Sequence, residues 1–546
     1  MTLSIYRPEI FQSTIYFPRN GRKPYLRYNH CVDVIRFQKR FLAAWNANAV
    51  GRENIPGQYN FISRSEDYRT WSAPELLFAG DHCRPSVTTD NQWQPAFIND
   101  QDRKLFCAWC DFNAQKTYIA VSPDGCNWEN REVPHAPSEL EGQVVAFPTN
   151  HGLLTAAGAL IFPVSFPEIV HPGGVGACRY AGLLVSFDNG STWQYRGLIQ
   201  AATYNAGSTR PPQAQRERPD LWEPMIFETG TDRLRLLIRN SGEYDHTVDT
   251  APEHTIFAGT GPLDELHWPD ARPISIESVG SRNYAVRHSN GTAMIMNDWT
   301  TAASPKRGPE DRFELTLFLA PGNDPELLLP GPRIQPPGGR AFYPNGFIAD
   351  GKLYCAYTYP DYIQGSVVSE LPDFSQPFLL PRDSRPGLEI DDQEIRFTQP
   401  EATLGVVPSF ALLQQEVLTL KFAFECRVRG EAEFPLLSVG GKNDLGLTLL
   451  LKFDPESDAD LLILRRPRQN DVTVAERLLL RQEQHVELSC GRTSFQLKIN
   501  GTVHEFSGFI QRKLALGGLY WPTPWPKGLE PVRNVIAVRR NSIILS

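Results

Sequence analysis

The chain has 546 residues, more than one ordinary hydrophobic core uses, so at least two domains are expected. Charged residues at 21% and apolar residues at 41% exclude a disordered chain, and a net charge of -8 speaks against a nucleic-acid partner. No apolar run is long enough to span a membrane, and 41 Gly, 45 Pro and 11% aromatics favour many short strands joined by turns. The nine cysteines are scattered and odd in number, which fits reduced thiols. The one close pair, Cys107 and Cys110 in "CAWC", sits three apart on a predicted strand, where the side chains face opposite ways. No cofactor or metal centre is expected, although loops with clustered Asp can take a structural Ca²⁺. The N-terminal stretch "MTLSIYRPEIFQSTIYFPRN" lacks a basic segment followed by an apolar one. A cytoplasmic protein is therefore expected, or a secreted one if a signal has been removed.

In chain order, the first predicted unit opens with "RYNHCVDVIRFQKRFLAAWN", which puts Asn29 and His30 at a strand start. The loop after its second strand, "NANAVGRENIPGQ", holds one carboxylate, Glu53. The strand "YNFIS" then runs into "SRSEDYRTW", with Ser65, Asp67, Thr70 and Trp71. The second unit starts with "NQWQP", presenting Trp93 and Gln94, and reaches "SPDGCNW" after the strand "TYIAVS". The third starts with "FPTNHG", presenting Asn150 and His151, and reaches "SFDNGSTW" after "AGLLVS". These three turns begin 57 and 64 residues apart. In each, a short Asp side chain can bond the amides that follow it, and Trp can cap the hairpin.

The fourth unit, "LWEPMIFETGTDRLRLLIRN", reads as two strands around a turn, with Glu223 and Arg239 reaching one face. The fifth contains "DRFELTLFL", with Arg312, and the sixth "RAFYPNGF", with Tyr343. Repeated units of roughly 50 to 70 residues with several strands each predict an all-β chain with a six-bladed β-propeller over residues 1–380. A Pro- and charge-rich stretch over 381–410 reads as a linker. Alternating runs over 411–546, with a hairpin signal at Asn500-Gly501, predict a β-sandwich that folds as its own unit and leaves the propeller's site intact when removed. Trp521 and Trp525 in "YWPTPWP" are candidates for stacking on sugar.

The Ser-Asp-Gly-Thr-Trp turns resemble the Asp boxes of the sialidase (neuraminidase) superfamily, six-bladed propellers in which these turns are structural. The sandwich resembles the jelly-roll, lectin-like domains that accompany propeller glycosidases. The order Glu223, Arg239, Arg312, Tyr343 is similar to that superfamily's active site. The resemblance implies that Arg239 and Arg312 hold a substrate carboxylate, that Tyr343 is the nucleophile and Glu223 its base, and that Glu53 stands where the family's acid/base Asp would be. One departure bears on substrate. The family opens its first blade with a Tyr-Arg-Ile-Pro-like motif, whereas Asn29 and His30 follow Tyr28 here, so the third arginine of the family's clamp is missing.

The chemistry is coherent without the resemblance. An Arg fork matches a carboxylate bidentately and keeps its charge. A tyrosine, with an ordinary pKa of about 10, needs a neighbouring base to become a nucleophile. The readings that follow are an exo-acting glycoside hydrolase on a terminal acidic sugar (sialic acid-like, keto-sugar acid or uronic acid), a propeller polysaccharide lyase using His30 or Tyr343 as base, and a non-catalytic carbohydrate-binding propeller. In all three the partner is an acidic glycan, with Asn29, Trp93, Gln94, Asn150 and His151 as further substrate contacts. No nucleic acid or membrane partner is expected, and the oligomeric state is left open.

Overall fold

The computed structural model describes residues 3–18, 25–78, 80, 82–85, 91–138, 140, 145–170, 174–201, 221–230, 233–240, 255–277, 280–298, 312–335, 339–359, 363–383, 387–399, 402–429, 433–440, 446–466, 469–508, 511–517 and 535–546. Trp521 and Trp525 lie outside them. No helix among the described residues is long and apolar enough to cross a membrane.

Six sheets form the blades of the propeller, antiparallel except where the short strand Cys83–Arg84 pairs in parallel with Trp128–Glu132. Their inner strands are Tyr28–Phe37, Gln92–Asp100, Phe147–Pro148 with Leu153–Leu154, Leu221–Gly230, Tyr284–His288 and Phe342–Ala349. Blades stack face to face, so both faces of a middle strand are buried. Arg40–Asn48 accordingly reads as a nearly continuous apolar run, with Ala43, Ala44 and Trp45 all at 0% exposure. The ring closes by pairing its two ends. Ile10–Tyr16 lies antiparallel to Gln364–Glu370 and becomes the outer strand of blade six.

Three hairpin turns share one build. Ser65, Ser122 and Ser186 each donate from Oγ to the Oδ1 of the Asp two residues on, at 2.8 to 3.1 Å. Asp188 Oδ1 accepts from Thr192 N at 2.8 Å, Asp124 Oδ1 from Asn127 N at 2.7 Å and Asp67 Oδ1 from Thr70 N at 2.8 Å. These bonds to the ionised form hold each Asp pKa down near about 2. Gly190 is at φ +81, and a Cβ there would fall 2.2 Å from the ring of Phe106. Trp193 then covers Phe106 and Phe162.

Two further sheets form the sandwich, around a core that includes Phe422, Phe424, Leu437, Leu449, Leu488 and Leu497. Asn500 (φ +48) and Gly501 (φ +93) join Ser494–Ile499 to Thr502–Ser507, the two left-handed residues a tight hairpin requires. The stretch 381–410 is not a linker. It contributes Leu388–Ile390 and Glu394–Phe397 to one sandwich sheet and Thr403–Val407 to the other. Strands over 388–407 can therefore be Pro- and charge-rich at their ends while alternate residues face the core.

The sandwich and propeller are also tied together. Ser4–Ile5 pairs in parallel with Phe378–Leu379 inside a sandwich sheet, directly before the N-terminal strand that closes blade six. Arg382 makes a bidentate ion pair with Asp298 of blade five, from Nε at 2.9 Å and Nη2 at 2.6 Å, with both side chains almost fully buried. Lys513 is buried near Glu326 and Asp324, and burial pushes its pKa down to about 7. A cut after residue 380 would therefore strip Asp298 of its buried partner.

Two outcomes are expected. Asp188→Ala should lower stability by on the order of 1–2 kcal/mol through lost turn hydrogen bonds, read as a lower thermal midpoint with ligand affinity of the folded protein unchanged. Arg382→Met should cost about 3–5 kcal/mol by leaving a buried carboxylate unpaired, and Asp298→Leu added to it should recover most of the loss. Thermal midpoints of the two single variants and the double variant check this, and equal losses in all three would count against it.

Candidate active site

The site is built on four β-bulges. In the inner strands of blades one, two, four and six, the pairing register slips between His30 and Asp33, Trp93 and Ala96, Trp222 and Met225, and Phe342 and Asn345. The first bulged residue in each is left-handed: Cys31 (φ +57), Gln94 (φ +38), Glu223 (φ +52) and Tyr343 (φ +58). A non-glycine residue in that region costs of order 1–3 kcal/mol and persists only where its surroundings hold it. A bulge re-aims a side chain and releases backbone groups from the ladder. Neighbouring blades collect the freed groups. Glu223 N donates to Ser165 Oγ at 2.9 Å and Tyr343 N to Ser281 Oγ at 3.3 Å. In three of the bulges the second residue is proline (Pro95, Pro224 and Pro344), which has no N–H to leave unpaired.

Glu223 and Arg239 lie on the two strands of one hairpin, Leu221–Gly230 and Arg233–Asn240, as their spacing predicts. Arg239 Nη1 donates to Glu223 Oε2 at 2.5 Å and to the Tyr343 hydroxyl at 2.9 Å. Arg312 Nη2 donates to Gly280 O at 2.9 Å, and its guanidinium lies 5.1 Å from the Tyr343 ring centre. The Nε atoms of both arginines are buried and have no partner among the described residues. Burial raises the Tyr343 pKa to about 12, and Arg239 and Arg312 hold it from rising further.

His30 packs on Tyr343, with ring centres 4.2 Å apart. Its Nδ1 is 3.3 Å from Thr358 Oγ1, and that hydroxyl donates to Gln364 Oε1. Nδ1 is therefore the donor, which leaves Nε2 as an acceptor. Burial, then Arg312, Arg282 and Arg239, keep the His30 pKa well below the usual range, so the ring is neutral. Glu53 joins the group from blade one. The residue is exposed, but it stands in a concave region where crowding by protein raises its pKa. The hydrogen bond from Tyr28 opposes that rise, Glu223 adds to it, and Arg312 and Arg239 oppose it.

Glu53, His30, Glu223, Arg239, Arg312 and Tyr343 thus come together. The five expected substrate contacts are engaged with the surrounding frame. Asn29 is fully buried, donating to Leu26 O at 3.0 Å and accepting from Trp45 Nε1 at 2.9 Å. Trp93 is buried against Phe112 and Phe147 and donates to Asn91 Oδ1 at 2.9 Å. Asn150 Nδ2 bonds the carbonyls of Glu223 and Pro224 at 3.1 and 3.0 Å, bracing the bulge of blade four. His151 Nδ1 donates to the buried Asp33 carboxylate at 2.9 Å, and its backbone N to Asn345 Oδ1. Gln94 is buried with Oε1 3.5 Å from Arg282 Nη1. A strand-start position alone cannot tell a side chain aimed at the opening from one turned into the neighbouring blade.

Arg282 escaped the sequence reading. It is fully buried, beneath the Tyr343 ring at 5.4 Å. The available signal was an aromatic-X-Pro triplet at three unit starts, Trp93-Gln94-Pro95, Trp222-Glu223-Pro224 and Phe342-Tyr343-Pro344, which marks the bulges. Nothing comparable marks Arg282.

A neutral buried His30 gives a stability term with a definite sign. The unfolded chain binds a proton at His30 below about pH 6.5 while the folded protein does not, so stability falls as pH drops through that value. His30→Gln should lose less stability than wild type between pH 6.5 and 5, by up to about 2 kcal/mol. Denaturation midpoints at the two pH values check this, and parallel losses would count against it.

No protein-family model matches the chain, and no curated protein matches it. Solved structures do. A Trypanosoma rangeli sialidase in complex with 2,3-difluorosialic acid, a covalent intermediate, aligns with 98% of this chain and 97% of its own at 11% identity and a TM-score of 0.50. The same sialidase in complex with sialic acid aligns over 99% and 97% at 12% identity and a TM-score of 0.46. A mutant of NanB sialidase from Streptococcus pneumoniae aligns over 66% and 70% at 11% identity and a TM-score of 0.46. At such identities the likeness is one of fold, and this chain has a sialidase-like six-bladed propeller with a β-sandwich after it.

Proposed function

We propose that the chain is an exo-acting glycoside hydrolase that removes a terminal acidic sugar, with Tyr343 as nucleophile. The observation that carries this reading is Arg239 standing between Glu223 and the Tyr343 hydroxyl, bonded to both. A carboxylate on the substrate draws Arg239 and Arg312 to itself, because the uncommitted N–H groups of two guanidiniums suit a planar anion. Once Arg239 turns to that carboxylate, Glu223 takes its place at the phenol and receives the proton as Tyr343 attacks the anomeric carbon. A neutral nucleophile avoids setting a carboxylate against an anionic sugar. Glu53, whose raised pKa favours the protonated form, donates to the leaving oxygen. Water then attacks the anomeric carbon with Glu53 taking its proton, the bond to Tyr343 breaks, and Glu223 returns its proton to the phenol.

The lyase reading keeps one supporting observation, the Nε2 acceptor of a neutral His30 beside Tyr343, a nitrogen with no hydrogen bond among the described residues. Products separate the two, since a lyase leaves an unsaturated sugar absorbing in the ultraviolet and a hydrolase a reducing one.

The test is a panel of methylumbelliferyl glycosides of N-acetylneuraminic acid, a deaminated keto-sugar acid and glucuronic acid, followed by trapping with the analogue of whichever sugar turns over that carries fluorine on the anomeric carbon and on the carbon beside it (2,3-difluoro for a keto-sugar acid, 1,2-difluoro for a uronic acid). Wild type should gain the mass of one sugar on the peptide containing Tyr343, and Tyr343→Phe should lose turnover by at least about 10³-fold with ligand binding nearly intact. Normal turnover by Tyr343→Phe would remove the tyrosine mechanism.

A further inference from the structure

Arg282 is a fully buried charge near the site, and its surroundings are unusual. It lies just before the inner strand of blade five, at 0% exposure. Its Nη2 donates to Val32 O and to Tyr343 O, both at 3.2 Å, and its Nη1 donates to Thr149 O. Blades one, three and six thus each give it a carbonyl. Val32 and Tyr343 are bulge residues, whose carbonyls the slipped register frees from the ladder. Buried carbonyls without donors are costly, and a planar fork with five N–H groups can serve several of them at once.

The second feature is charge. Among the described residues Arg282 pairs with no carboxylate, whereas Arg239 is paired with Glu223 and Arg382 with Asp298. Carbonyl dipoles solvate the guanidinium but do not neutralise it. A buried cation without a counter-ion is expensive in a frame that hydrophobic residues could fill. It lies 5.4 Å from the ring of Tyr343, and its field reaches His30. Blade one, meanwhile, brings His30 rather than an arginine against Tyr343.

We propose that Arg282 is a positioning residue that supplies the site with charge from below: it locks the bulges of blades one and six, and its unneutralised guanidinium gives Tyr343 and a bound anion the positive field that no first-blade arginine provides. The proposal rests on the glycosidase reading for its catalytic consequence, but not for its electrostatic one.

Lysine separates the two parts, since it keeps the charge and loses the fork. Glutamine keeps two donors and loses the charge, and methionine loses both. Arg282→Lys, Arg282→Gln and Arg282→Met are checked for folding by circular dichroism and thermal midpoint. Two readouts follow. One is the titration of His30, followed by the ¹³Cε1 resonance of labelled histidine and assigned with His30→Gln. The groups facing that ring are Arg239, Arg282, Arg312, the Tyr28 and Tyr343 hydroxyls and the Thr358 hydroxyl, so Arg282 is the one charge that changes. In Arg282→Gln the midpoint should rise by about one pH unit or more, and in Arg282→Lys it should stay within a few tenths of wild type. The other readout is kcat and KM on the glycoside that wild type turns over. Arg282→Gln should lose at least about 100-fold in kcat and Arg282→Lys less than about tenfold.

If a folded Arg282→Gln leaves the His30 titration where it was, or if the Lys and Gln variants lose activity equally, the charge has no part and the proposal falls. If the Gln and Met variants do not fold, Arg282→Lys decides: near-normal His30 titration and turnover uphold it, and a folded but inactive Lys variant overturns it. Failure of all three to fold would make Arg282 a plug and nothing more, which also overturns it. A wild type that turns over none of the panel would sink the glycosidase reading, and the His30 titration, which needs no substrate, would still judge Arg282.

Discussion

Everything at the site depends on four inner strands that break their pairing at one level of the propeller. A regular strand sends alternate side chains into the two neighbouring blades, and none of them along the axis. The bulges at Cys31, Gln94, Glu223 and Tyr343 rotate one residue per strand out of that alternation at the cost of a left-handed backbone. Such strain survives only where it is held from several sides. Ser165 and Ser281 hold two of the freed amides, Asn150 braces two carbonyls of blade four, and Arg282 gathers carbonyls from three blades. The polar residues that look idle in a contact survey are the ones that keep Glu223 and Tyr343 aimed.

The electrostatics follow from the same geometry. Drawing strands together at the axis concentrates Arg239, Arg282 and Arg312 around one phenol. Among the described residues, Glu223 is the only carboxylate in an ion pair with any of them. Burial alone would make Tyr343 a poor nucleophile, and the arginines offset part of that. Burial first, and then the same field, hold the His30 pKa down. Three guanidiniums against one paired carboxylate leave this part of the propeller with a net positive field.

Legibility in the sequence divides along physical lines. The blades are readable because Asp67, Asp124 and Asp188 sit in turns whose chemistry is local, spanning about five residues each. Glu223 and Arg239 are readable for the same reason, since one hairpin joins them. Arg312 and Tyr343 are placed by their order along the chain, through the resemblance. The frame residues mislead because their partners are remote: Asn150 bonds residues 73 and 74 positions away, and His151 bonds Asp33 118 positions away. Arg282, with partners 61, 133 and 250 residues off, has no local signature at all. The stretch 381–410 misleads for another reason, since proline and charge at strand ends look like a linker until the sheet that pairs them is seen.

The tie between sandwich and propeller bears on the site as well. Asp298, held by Arg382, makes its own backbone bond from N to Glu314 O at 3.0 Å, two residues beyond Arg312. Its neighbour Asn297 donates from Nδ2 to the carbonyls of Phe313 and Ala341, at 3.0 and 2.6 Å. The first of those carbonyls follows Arg312 directly, and the second precedes Tyr343 by two residues. A chain of short bonds therefore runs from the sandwich sheet, through a buried ion pair, to the backbone beside Arg312 and Tyr343. The Arg382–Asp298 pair and the bond from Asn297 to Ala341 O are buried, so neither can be exchanged for water without loss. Without any of its described side chains touching Tyr343 or Arg312, the sandwich thus helps to fix where those two residues stand.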